Sequence, residues 1–177
     1  MVEEEEEFEV EEEIPLILDS YNDIFSDFDP RPYSEKALSI DFLQECKRAV
    51  LDKKDKFEIR LILPKEKRNL AHEAKIKKRL KSHFLKHYHE KRKEIQKIRG
   101  IGLLWFLIGV VIMFLATFLY SMEKEFIFRF LFIMAEPAGW FLFWEGLDKV
   151  FMETRREGPE HEFYKKMMRA KIVFTNY

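Results

Sequence analysis

Residues 57–63, FEIRLIL, alternate along the chain: Phe57, Ile59, Leu61 and Leu63 fall on one side, Glu58 and Arg60 on the other. Period two predicts a half-buried strand, and Pro64 ends it. Two shorter apolar runs, IPLIL (14–18) and KIVFT (171–175), read as further strands. The 57–63 and 171–175 strands are expected to pair and so join distant parts of the chain. Elsewhere the period is helical. Leu38, Phe42, Cys46 and Ala49 share a face, which predicts a helix over 35–53 capped by Ser34. Leu70, Ala74, Leu80, Phe84, Tyr88, Ile95 and Ile98 form one stripe, which predicts a single amphipathic helix over 65–99. Between the first strand and the first helix, residues 19–32 are rich in Asp, Asn, Ser and Pro and read as turns around a short helical piece.

Past Gly100 and Gly102, which offer a flexible joint, the alternation disappears. Residues 101–120 carry no charge, and thirteen of them are Leu, Ile, Val or Phe. That length and composition suit a bilayer span. SMEKE (121–125) is a tight polar loop, and 126–144 is a second candidate span. Gly158 and Pro159 are expected to break the chain before a short helix that ends near Arg169. The two spans predict a transmembrane helical hairpin. Basic residues crowd before the first span, and Arg155, Arg156, Lys165, Lys166, Arg169 and Lys171 follow the second. The positive-inside rule then places both termini in the cytoplasm, at the cell membrane. Trp105, Trp144 and Tyr120 suit the interfacial aromatic belt, and Arg129 is expected to pair with Glu125 one turn back.

Charge refines this division. The net charge of -1 conceals opposed blocks: residues 1–30 hold thirteen acids and no Lys or Arg, and residues 65–99 hold fourteen Lys or Arg against four Glu. Residues 1–13 are expected to form a disordered acidic tail without the basic start of a secretory signal. The basic helix carries no nucleic-acid motif. Anionic lipid head groups are therefore its expected partner rather than nucleic acid, since each juxtamembrane cation favours them by about 1 kcal/mol. With a single cysteine, Cys46, no intrachain disulfide can form.

Candidate chemistry is sparse. Glu136 and Pro137 stand at the middle of the second span. A central carboxylate opposes insertion by a few kcal/mol, on the order of the 2.5–3.5 of other charged residues, and Pro137 removes the N–H that would bond to the Ile133 carbonyl. Two roles follow: a protonated Glu136 tied by a hydrogen bond to the first span or to another subunit, or a proton or cation site. Gly102, Gly109 and Ala116 recur every seven residues, as do Gly139 and Gly146. Such small residues either pack the hairpin or build a homo-oligomer. His72, His83, His87 and Glu90 share a stripe of the basic helix, and His83, His87 and Glu90 have spacing suited to a metal. Their many lysine neighbours disfavour a dication, so a solvated polar face is the better reading. No Gly-rich phosphate loop, Ser-His-Asp arrangement or CxxC occurs, so neither an enzyme nor a cofactor is expected.

The stretch FSDFDPRPYSEKALSIDFLQECKRA (25–49) resembles a prokaryotic family of small two-span membrane proteins. The resemblance covers the first half of the chain and the hairpin and implies no activity. The expected architecture is therefore a membrane α-helical hairpin over 101–144 with a small cytosolic α+β domain. Residues 14–99, including the long basic amphipathic helix, and the C-terminal segment 145–177 would assemble that domain. The expected function is a non-enzymatic scaffold or regulator that holds an unidentified protein partner at the bilayer. The alternative is an oligomeric ion or proton channel, or a pore-forming effector, that uses Glu136.

Overall fold

A computed structural model describes residues 12–53, 56–121 and 125–177. The chain divides into two compact units, one of residues 1–89 with 162–177 and one of residues 90–161.

In the first unit, strands β1 (Glu12–Ile17), β2 (Phe57–Leu63) and β3 (Lys171–Asn176) form a sheet in the order β1-β2-β3. Both pairings are parallel, with Ile14 opposite Ile59 and Ile59 opposite Ile172. Parallel neighbours require crossovers, which the helices supply. The small mixed domain is thus a parallel α/β arrangement rather than α+β. Glu12 and Glu13, expected in the disordered acidic tail, belong to β1. The rest of that segment, and Met122–Lys124 of the polar loop, lie outside the described residues.

One row of the sheet, Ile14, Ile59, Leu61, Ile172 and Phe174, is buried in the core. The opposite face carries a ladder of charge: Arg60 pairs with Glu13 at 2.5 Å and with Glu58 at 2.8 Å, and Lys171 pairs with Glu58 at 3.4 Å. Ile17 on that face is exposed. The covering elements are α1 (Ile40–Leu51) and the first turns of α2 (Leu70–Tyr120), with the end of α4 (Thr154–Arg169). Helix α1 presents Phe42, Cys46 and Val50. It starts at Ile40, not residue 35, and Ser34 does not cap it. Residues 37–39 are held extended, because Ser26 N–H donates to Ala37 O and Ser39 N–H to Ile24 O around a Phe25–Leu38 bridge. At the other end of α1, the half-exposed Lys53 gives way to a buried cation: Lys166 Nζ donates to Leu51 O at 3.0 Å and Lys53 O at 2.6 Å. It thereby satisfies carbonyls that a helix end leaves orphaned.

The face that α2 buries is Glu73, Ile76, Leu80 and Phe84. Leu70, expected in the stripe, is 77% exposed, and Ala74 is exposed as well. Asn69 caps the helix through its Oδ1, which accepts from Ala71 N–H at 2.9 Å and His72 N–H at 3.2 Å. A short 3-10 turn, Lys65–Lys67, precedes it, so the helix starts at Leu70 rather than at residue 65.

In the second unit α2 continues without interruption through Gly100 and Gly102, and no joint forms there. Helix α3 (Phe126–Asp148) runs through Pro137 and passes by a π turn, Lys149–Glu153, into α4, which contains Pro159. The expected break at Gly158 and Pro159 is absent. Thr154 Oγ1 donates to Lys149 O at 3.1 Å and satisfies a carbonyl of the widened turn. Two helices are long and apolar enough to cross a membrane. Only 17% and 6% of their most apolar windows are buried, so they do not read as the core of a soluble unit.

Candidate functional site

Parallel strands bring all their carboxyl ends to one edge of the sheet, where α/β folds place their ligands. Here that edge carries a polar network built from three separate segments. Tyr21, just past β1, donates its hydroxyl to Glu73 Oε1 at 3.0 Å and accepts from Asn69 N–H at 2.8 Å. Arg68, past β2, forks onto Glu73 with Nε at 2.9 Å and Nη2 at 3.0 Å. It also donates to Phe174 O at 3.1 Å and Asn176 Oδ1 at 3.2 Å, at the end of β3. Glu73 is buried, and the Arg68 guanidinium holds its carboxyl below the ordinary range, with burial opposing. This explains why a glutamate sits on the buried face of α2, which hydrophobic periodicity cannot show.

Beside the network opens a cleft of about 320 Å3, lined in part by Asn22, Arg31, Tyr33, Lys36, His72 and Lys75. Tyr33 stacks on Phe25 with ring centroids 5.3 Å apart and meets His72 edge-on at 5.3 Å. The loop that carries Arg31 is fixed by Asp29. Its carboxylate accepts from Arg31 Nε at 2.9 Å, from Arg31 Nη2 at 2.7 Å and from Ala37 N–H at 2.6 Å. The Arg31 hydrogen bond, chiefly, holds the Asp29 carboxyl well below the usual carboxylate range. The sequence does not bring these side chains together, because Arg31 and Lys36 are some forty residues from His72 and Lys75. The only local signal was the stiff Pro30-Arg31-Pro32 turn.

The histidines do not share a solvated stripe. His72 belongs to this cleft. His83 and His87 lie together, ring centroids 4.3 Å apart, with His87 stacked on Tyr164 at 5.3 Å. Burial first, then the His87, Arg79 and Lys86 charges, push His83 down to about 4. Its Nε2 is buried without a hydrogen-bond partner among the described residues. Among those residues no three His, Cys, Asp or Glu side chains gather where they could hold a metal ion, so His83, His87 and Glu90 form no such cluster.

Within the second unit, the small residues of α2 and α3 face one another. A Cβ on Gly109 would lie 2.5 Å from Phe143 N and 2.8 Å from Gly139 O, and one on Gly139 would lie 2.7 Å from Met113 Cγ. A Cβ on Gly102 would lie 2.9 Å from Gly146 O, and one on Gly146 would strike the Phe106 backbone. Ala116 is buried too. These residues let two backbones touch inside the hairpin. Glu136 and Pro137 are exposed, off that stripe. Glu136 makes no hydrogen bond or ion pair among the described residues. The expected tie to the first span is absent, and the Thr117 hydroxyl donates instead to Met113 O at 3.0 Å. The expected Arg129–Glu125 ion pair is also not formed. Glu125 is an extended N-cap residue, off the helical spacing that would align the two side chains. Nearer the α3–α4 junction, Lys91 Nζ gathers Glu94, Glu157 and Glu160 at 2.8–3.0 Å, and these carboxylates raise its affinity for the proton.

No family model, curated protein or solved structure matches the chain.

Proposed function

We propose that this chain is an integral membrane protein in which the α2–α3 hairpin spans the bilayer with both termini in the cytoplasm, at the cell membrane. Its parallel α/β unit acts there as a non-enzymatic scaffold or regulator that holds a protein partner. The observation that carries this reading is the exterior of the hairpin: Phe114, Phe118, Phe126, Phe141 and Trp144 are each at least 60% exposed. Such a surface is costly in water and suited to lipid. The basic segments on either side of the hairpin support the orientation, and the resemblance of residues 25–49 to two-span proteins is in keeping with it. Anionic head groups are the expected counterpart of the basic helix.

The test is labelling of Ser121→Cys with a membrane-impermeant maleimide on intact cells. The native Cys46 is buried, and burial pushes its thiol up to about 12, so it stays silent. Labelling from outside is expected; labelling only after the cells are opened would overturn the orientation.

A second reading, an oligomeric channel or pore-forming effector, is favoured by one observation: the hairpin leaves Glu136 uncovered. An intramembrane carboxylate ordinarily faces protein or a water-filled cavity, and a second copy of the chain would provide either. Particle mass in detergent separates the readings, since a single hairpin cannot enclose a pathway.

A further inference from the structure

We propose that the cleft at the carboxyl edge of the sheet binds a phosphorylated ligand through Arg31, Lys36 and Lys75, with His72 and Asn22 as further hydrogen-bonding groups. This goes beyond anchoring and scaffolding, and it rests on the first unit alone. Of the residues that line the cleft, three are cationic and none is acidic. Neither Lys36 nor Lys75 has an ion-pair partner among the described residues. Arg31 is balanced by Asp29, so two of the three cations stand uncompensated, which favours an anion.

The site is also preorganised. Asp29 grips Arg31 by Nε and Nη2, which leaves Nη1 for a ligand oxygen. Tyr33 is fixed by stacking on Phe25 and by its hydroxyl bond to Asn22 Oδ1 at 3.3 Å. His72 lies in the first turn of α2, where the helix dipole adds positive potential. A guanidinium edge and two ammonium groups around a concave wall match the oxygens of a phosphomonoester or diphosphate. Such a group can arrive on a soluble molecule or on a lipid head group.

The experiment titrates inorganic pyrophosphate into the full chain in uncharged detergent micelles and follows the heat. Saturable binding is expected. Lys36→Gln and Lys75→Gln should each weaken it by about tenfold or more. Lys78→Gln, exposed on the same helix but outside the cleft, should leave it unchanged. Unaltered unfolding midpoints would show that the variants remain folded. Repeating the titration in phosphatidylcholine nanodiscs distinguishes the sources. Phosphatidic acid in the disc should lower pyrophosphate affinity if head groups enter the cleft. Phosphatidylglycerol, a diester, controls for surface charge. Equal affinity in all discs would assign the cleft to a soluble ligand. Absence of saturable pyrophosphate binding, or equal weakening by Lys78→Gln, would overturn the proposal.

Discussion

At the scale of single residues, His83 makes the first unit sensitive to acid. Burial holds it down to about 4, below the ordinary histidine value of about 6.5. Between those values the unfolded chain binds more protons than the folded one. Stability is then fully present above about pH 6.5 and is lost as pH falls towards 4. Glu73 acts in the same direction, because its carboxyl is depressed by Arg68 and its contribution fades as pH falls through its folded value. We expect the urea midpoint to fall between pH 6.5 and 4, and His83→Phe to flatten that slope. An unchanged slope in the variant would refute the assignment. Neither residue was legible in this role. A histidine in a lysine-rich helix reads as solvated, and a glutamate in a stripe reads as an interruption. Only the fold shows that Arg68 and Tyr21 compensate Glu73 and that Tyr164 helps to bury the histidine pair. Phe42, Cys46, Leu80 and Phe84, by contrast, were legible as core from spacing alone, since burial selects for apolar side chains at helical intervals.

At the scale of elements, six glycines divide into two kinds. A Cβ on Gly100 or Gly158 meets nothing within 4 Å, whereas one on Gly102, Gly109, Gly139 or Gly146 meets the facing helix. Gly100→Ala should therefore stabilise α2 by about 0.5–1 kcal/mol through backbone entropy. Gly109→Ala should instead force the helices apart and lower the thermal midpoint in detergent. Equal effects from the two substitutions would contradict the hairpin packing. The seven-residue recurrence made these positions visible in the sequence, but it could not say whether they served the hairpin or an oligomer. Three strand segments were likewise legible from period and β-branched content. Their parallel pairing was not, because it depends on which crossovers the helices provide. Helix ends were the least legible feature: α2 starts at Leu70 behind the Asn69 cap rather than at residue 65, and Gly100 does not interrupt it. A single glycine costs only about 1 kcal/mol in a helix, which long apolar neighbours on both sides readily offset.

At the scale of the whole molecule, the core of the first unit depends on residues from both flanks of the hairpin. Phe163, Met167, Ile172 and Phe174 pack with Phe57, Leu61 and Phe84 in one cluster. A chain that ends at Arg169 should keep the helices of the second unit while the β2 amides lose protection. Hydrogen exchange would show this, and full protection of β2 in the truncated chain would rule the coupling out. Central strand β2 takes β1 on one side and β3 on the other. During translation, β2 leaves the ribosome long before residues 171–176 exist. Throughout synthesis of the hairpin its second edge has no partner, and an open strand edge invites pairing with other chains. The sheet can close only after every apolar residue of the hairpin has been made. The timetable of synthesis thus sets α2 and α3 ahead of the domain that precedes them in the chain, and a nascent copy must be kept from its neighbours until its final strand arrives.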